Sequence, residues 1–139
     1  MGVDAYIFDR KSKRYYSYDR EYNLAPHFVY DYLPEEDQAK VSAMDDIRYA
    51  LLADNAKIKA DQVVELCDFV IKGWAKAETD QDRGRAFAGE NVKLFVAAFP
   101  EGEFFIRVDY DDAYEYMKDC GLSKWSKHPD AGQYEEWKP

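Results

Sequence analysis

Apolar and polar positions alternate over Val3, Ala5 and Ile7, and the alternation resumes at Tyr16 and Tyr18 beyond the basic run Arg10-Lys11-Ser12-Lys13-Arg14. A period of two is the signature of a half-buried strand, so residues 3–19 are predicted to form a β-hairpin. Its tip lacks Gly or Asn, which favours a four- or five-residue connection over a tight two-residue turn. Phe28, Tyr30 and Tyr32 alternate again and predict a short third strand stopping at Pro34.

Beyond Pro34 the period changes. Glu35, Glu36 and Asp37 gather where a helix dipole favours negative charge, and Val41, Met44, Ile47 and Leu51 recur at helical steps, so a helix is predicted over residues 35–54 with Asn55 as a left-handed cap. Val63, Leu66, Cys67, Val70, Ile71 and Trp74 form the broad apolar face of a second helix over residues 61–77, with Asp61 as its N-cap. Residues 78–90 contain two glycines and little periodicity, and read as a loop.

Val92, Leu94, Val96 and Ala98 then alternate, as do Phe104, Ile106, Val108 and Tyr110 beyond a Pro-Glu-Gly turn. A second hairpin is predicted over residues 91–110, with Gly102 as the left-handed residue of its bulge. A short helix over residues 111–120 follows, ending at Gly121, and Trp125, Tyr134 and Trp137 predict that residues 123–139 dock on the body. The fold class expected is α+β: one domain over residues 1–139, with a mainly antiparallel sheet of two hairpins and two central helices.

Composition sharpens this picture. At 139 residues the chain can bury a core without staples, and an aromatic content of 17% separates it from disordered chains of similar charge. No secretory signal or bilayer-length apolar run is present, so a soluble, cytoplasmic protein is expected. Gly2 lies in a myristoylation context that fails, because Tyr6 stands where Ser or Thr is required. Cys67 and Cys120 read as free thiols of a reducing compartment.

Charge excludes further classes. The formal net charge is −9, from 28 acidic and 19 basic residues, and four of the basic ones are in the Arg10–Arg14 run. An acidic chain repels phosphate, so no direct nucleic-acid or membrane binding is expected. Candidate chemistry is sparse. Asp109, Asp111, Asp112 and Glu115 gather where a strand meets a helix, which supports either helix capping or a divalent metal site in a small metal-dependent enzyme. His27 and His128 sit in no metal-ligand pattern, and no serine lies in a nucleophile elbow. Gly84 and Gly89 flank Arg-Ala-Phe-Ala without the Lys-Ser/Thr of a phosphate loop, and Arg83 and Arg85 are expected to pair with Glu78, Asp80 or Asp82. No catalytic residue and no cofactor are expected.

What distinguishes the sequence is residues 14–37, where six of the 12 tyrosines stand among acids. Base-stacking platforms need a cationic groove, which Asp19, Glu21, Asp31, Glu35, Glu36 and Asp37 oppose. Tyrosine is enriched at protein interfaces, and surrounding acids complement a basic partner. The expected binding residues are therefore Tyr16, Tyr18, Tyr30 and Tyr32 as anchors, with Asp31, Glu35, Glu36 and Asp37 as charge complements. The competing expectation is that these rings pack in the protein's own core. In size and charge, over the whole chain, the protein resembles immunity proteins that neutralise nuclease toxins and phage-encoded inhibitors such as DNA mimics and anti-CRISPR proteins. The resemblance implies an inhibitor that covers a basic, nucleic-acid-binding surface of a target protein, and it carries no residue assignments.

Overall fold

A computed structural model describes residues 4–108 of the chain. Three strands form one antiparallel sheet: β1 (Asp4–Asp9), β2 (Arg14–Arg20) and β3 (Phe104–Val108), in the order β2-β1-β3. Between β2 and β3 run a 3-10 turn (Glu21–Leu24), the 3-10 segment Pro26–Tyr32 and five helices, α1 (Glu35–Gln38), α2 (Val41–Leu51), α3 (Ala60–Trp74), α4 (Asp80–Arg83) and α5 (Ala86–Ala97). The α+β class follows directly.

Strand alternation sorts the side chains onto two faces. Ala5, Ile7, Tyr16, Tyr18, Phe104 and Ile106 join Leu66, Val70, Val92 and Phe95 in the main core beneath α3 and α5. On the opposite face Phe8, Tyr15 and Phe105 are buried with Ala56, and the Phe8 and Phe105 rings stack with centroids 4.8 Å apart. Arg10 caps that second cluster. Its guanidinium lies 4.1 Å over the Phe105 ring and donates to the carbonyls of Ala56 and Asp54, both at 2.8 Å. One residue of the basic run is thus a structural clip.

The β1–β2 connection is fixed by an acid. Asp9 is buried, and its carboxylate accepts from the backbone N–H groups of Lys11 (3.2 Å), Ser12 (3.1 Å) and Glu103 (3.0 Å). It thereby joins the first turn to the start of β3. Gly102 allows this approach through its size, since an added Cβ would lie 2.6 Å from the Phe104 ring and 2.9 Å from Asp9 Oδ1. Its backbone is not left-handed, contrary to the expectation for a bulge residue; Lys13 and Asp19 are the non-glycine residues with positive φ among the described residues.

Several sequence expectations are corrected. The second hairpin is absent: residues 91–97 belong to α5, and β3 pairs with β1, Ile106 facing Ile7. Residues 91–99 are almost continuously apolar, so both periods fit them. Burial chooses the helical one, with Val92, Phe95 and Val96 inside and Leu94 partly exposed. The predicted loop at residues 78–90 holds α4, capped by Thr79 Oγ1 accepting from the Asp82 N–H at 3.1 Å, and the start of α5.

The helix expected over residues 35–54 is divided at Ala39 and Lys40, and Asn55 is not left-handed. The helix α3 begins at Ala60 rather than after an Asp61 cap; Gln62 Oε1 reaches back to the Lys59 N–H at 3.3 Å, while Asp61 lies in the first turn. The third strand is replaced by the 3-10 segment. The C-terminal helix over residues 111–120, the docked segment 123–139, Cys120 and His128 lie outside the described residues.

Candidate interaction surface

The 3-10 segment follows from its punctuation. Pro26 opens it without needing an N–H donor, and Pro34 disfavours helical backbone at Leu33. With three residues per turn, Pro26, Val29 and Tyr32 share one side. Pro26 and Val29 are buried and Tyr32 is half-buried, its ring 6.2 Å from Trp74, while His27, Phe28, Tyr30 and Asp31 face outward. Val29 seats directly on Gly73 of α3, where any Cβ would overlap the valine side chain. Gln38 closes the end of the segment by donating to the Tyr30 carbonyl at 3.0 Å.

The expected site residues divide. Tyr16 and Tyr18 are 7% and 2% exposed and belong to the core, with the Tyr16 ring 6.4 Å from Phe95. Burial pushes both phenols above their ordinary pKa. The correction has a plain cause: their alternation defines a strand face, and the face with Ile7 and Ile106 is the covered one. By contrast Tyr30 is 45% exposed, and Asp31, Glu35 and Glu36 are exposed beside it. Phe28, at 50% exposure, shares the alternation of Tyr30 but was not counted among the anchors; in the 3-10 segment it is exposed beside Tyr30. His27 packs on it at 4.8 Å and lies 3.8 Å from Asp45 of α2.

Asp37 differs from its acidic neighbours. It is buried and pairs with Lys72 of α3, with Lys40 at 3.5 Å on its other side. The hydrogen bond from Lys72 holds its carboxyl below the usual carboxylate range, and the same bond raises Lys72. The Asp37 contribution to stability is therefore complete above the ordinary carboxylate pKa and lost as pH falls through the lowered folded value; that of Lys72 is lost only above its own raised value. Denaturant unfolding from about pH 2 to pH 7 should show Asp37→Asn less stable than wild type at neutral pH and equal to it at the acid end. A gap persisting at the acid end would disprove the linkage.

Behind Phe28 lies an aromatic cleft of about 240 Å³, lined by Tyr22, Phe28, Tyr32, Trp74, Asp82 and Arg85. Tyr22 and Phe28 form one wall, centroids 5.4 Å apart. Arg85 is held over the Tyr22 ring at 4.6 Å and donates to Asp82 Oδ1 at 3.0 Å and to the Tyr22 hydroxyl at 2.9 Å. Trp74 Nε1 donates to the Asn23 carbonyl at 3.0 Å, which locks the indole. None of Tyr22, Phe28, Trp74 or Arg85 was assigned by sequence to a common site; elements far apart in sequence bring them together.

The remaining candidates are quiet. Arg83 pairs with Asp80 and Arg85 with Asp82, as the local charge pattern predicts. Burial pushes the Cys67 thiol up, away from reactive thiolate. No group of three or more metal-ligating side chains occurs among the described residues, and Asp109, Asp111 and Asp112 lie outside them. No described helix is long and apolar enough to cross a membrane. Set against known protein families, curated proteins and solved structures, the chain matches none.

Proposed function

We propose that the protein is a binding module that covers a basic surface of a target protein with the outward face of its 3-10 segment and the acidic turn after it. The observation that carries this reading is the exposure of two rings, Phe28 and Tyr30, among Asp31, Glu35 and Glu36. Single exposed rings are common on protein surfaces, and what sets this pair apart is that two rings stand together among acids, the composition of an interface anchor. The backbone beneath is held on α3 by the Val29 and Gly73 contact and by the Asp37 pair with Lys72. Anchors on a rigid platform lose little entropy on binding.

The acids select the partner. Asp31, Glu35 and Glu36 complement Lys and Arg and raise the rate of encounter with a basic surface. Nucleic-acid enzymes carry such surfaces, so the proposed role is inhibition of one of them, the part played by immunity proteins and by phage-encoded inhibitors of similar size and charge. The contact set proposed is Phe28, Tyr30, Asp31, Glu35 and Glu36.

Affinity capture with the tagged protein, followed by calorimetry on the purified partner, tests the reading. Phe28→Ala or Tyr30→Ala should weaken the complex by roughly 2 kcal/mol, and Glu35→Lys with Glu36→Lys should slow association and flatten its salt dependence. A partner that binds these variants like wild type, or whose affinity ignores salt, would overturn the proposal.

A further inference from the structure

The β1–β2 ladder contains an irregularity whose purpose the sheet does not explain. Asp4 pairs with Arg20 and Tyr6 with Ser17, so Tyr18 and Asp19 stand opposite Ala5 alone. This is a β-bulge, and Asp19 takes φ 68°, a left-handed conformation unusual for a residue with a side chain. Bulges re-aim side chains, and backbone strain of this kind collects at functional sites. Here Asp19 and Arg20 at the bulge line one hollow with Gln81 of α4 and with Gly84 and Arg85 after it.

The result is a polar cleft of about 520 Å³ lined by Asp19, Arg20, Asn23, Gln81, Gly84 and Arg85. Arg85 also lines the aromatic cleft behind Phe28, so the two hollows adjoin at one guanidinium. Its Nε and Nη1 are engaged with Asp82, Tyr22 and Asn23, whereas Nη2 has no hydrogen bond among the described residues. The Arg20 guanidinium has no ion pair among them either. Two guanidinium groups thus offer uncommitted donors to one polar hollow on a chain of net charge −9. Asp82 and Arg85 compensate each other, so Arg85 offers its Nη2 donor rather than a free charge, and Asp19 keeps acceptor oxygens for a hydroxyl or amine.

We propose that these adjoining clefts bind a small anion carrying a planar ring: the ring lies against Tyr22, Tyr32 and Trp74, the anionic group meets Arg20 and Arg85 Nη2, and Asp19 accepts from a donor on the ligand. Guanidinium suits phosphate and carboxylate alike because its planar fork matches both. Two sources share this chemistry, a nucleoside monophosphate and a free aromatic amino acid. The site goes beyond the protein-binding reading and stands without it.

Calorimetric titration with adenosine monophosphate, with tryptophan, with adenosine and with inorganic phosphate separates the contributions. One of the first two should bind at least about tenfold tighter than adenosine or phosphate alone, and which one it is names the source. Arg20→Ala should weaken that ligand about tenfold or more, Arg20→Lys should restore part of the loss, and circular dichroism should be unchanged, because Arg20 is exposed. Amide shifts in NMR should fall on Asn23, Gln81 and Gly84. Glu35→Lys with Glu36→Lys should leave the titration unaltered, which distinguishes this site from the protein-facing one. No heat with either ring-bearing anion at about 5 mM, equal binding of phosphate alone, or an Arg20→Ala variant that binds like wild type would each overturn the proposal.

Discussion

Phe95→Ala is expected to lower the free energy of unfolding by about 3–5 kcal/mol, while Leu94→Ala, one position earlier, costs less than about 1 kcal/mol. Phe95 is fully buried, with its ring 5.3 Å from Phe99, 6.2 Å from Phe104 and 6.4 Å from Tyr16, so truncation leaves a cavity bounded by three aromatic groups. Leu94 is 37% exposed and leaves little void. The contrast separates helix from strand. A strand over residues 91–99 would bury Val92, Leu94 and Val96 together and turn Phe95 away. Urea unfolding of the two variants measures the difference, and a larger loss for Leu94→Ala would refute the helical register.

That pair of residues also shows where the sequence stopped being informative. The first hairpin was legible because Asp9 and the basic run interrupt an alternating pattern, leaving one period to choose from. The helix α3 was legible because Val63, Leu66, Cys67 and Val70 recur at helical steps, with Glu65 and Asp68 marking the outside. Over residues 91–99 only Asn91 and Lys93 are polar, and two polar positions at one end, spaced as in a strand, cannot arbitrate between periods for the apolar run that follows. The second strand partner of β1 was invisible for a different reason: pairing of Ile7 with Ile106 is a long-range choice that neither segment records locally.

The candidate site was partly legible. Its acids and Tyr30 were found as a composition, and Tyr16 and Tyr18 were drawn in by the same composition although packing puts them inside. Phe28 alternates with Tyr30 but was left out of the anchors because the interface argument rested on tyrosine, whereas Tyr32, counted as an anchor, is turned toward Trp74 by a period of three. The clefts around Arg85 were not legible at all, since Tyr22, Trp74 and Arg85 come from three elements that only the fold brings together.

The second large effect is expected at Gly73. Helix propensity alone says that Gly73→Ala in α3 should stabilise by up to about 1 kcal/mol. The structure reverses the sign. An added Cβ would overlap the Val29 Cβ and lie 2.7 Å from its Cγ2, and these atoms are close to the backbone of a segment fixed between Pro26 and Pro34. Overpacking of this kind costs typically about 1–3 kcal/mol after relaxation, so the variant should be destabilised despite its better propensity. Because Val29 carries the 3-10 segment, the same change should displace Phe28 and Tyr30 and weaken partner binding. A thermal melt is the direct measurement, and a raised midpoint would show that the segment does not rest on α3 as described.

The central place of β1 in the sheet has a consequence for how the chain is made. β1 and β2 leave the ribosome early, yet the strand that completes β1 on its other side is not synthesised until Phe104–Val108, about 5–20 s later at ordinary rates of elongation. Throughout that interval the nascent hairpin has the β1 edge open as well as the β2 edge, and two aromatic faces awaiting cover, the arrangement that invites pairing with a neighbouring chain. Lys11 and Lys13 at its tip place like charges on each copy, and their mutual repulsion opposes such pairing until Asp9 can take the Glu103 N–H and close the sheet.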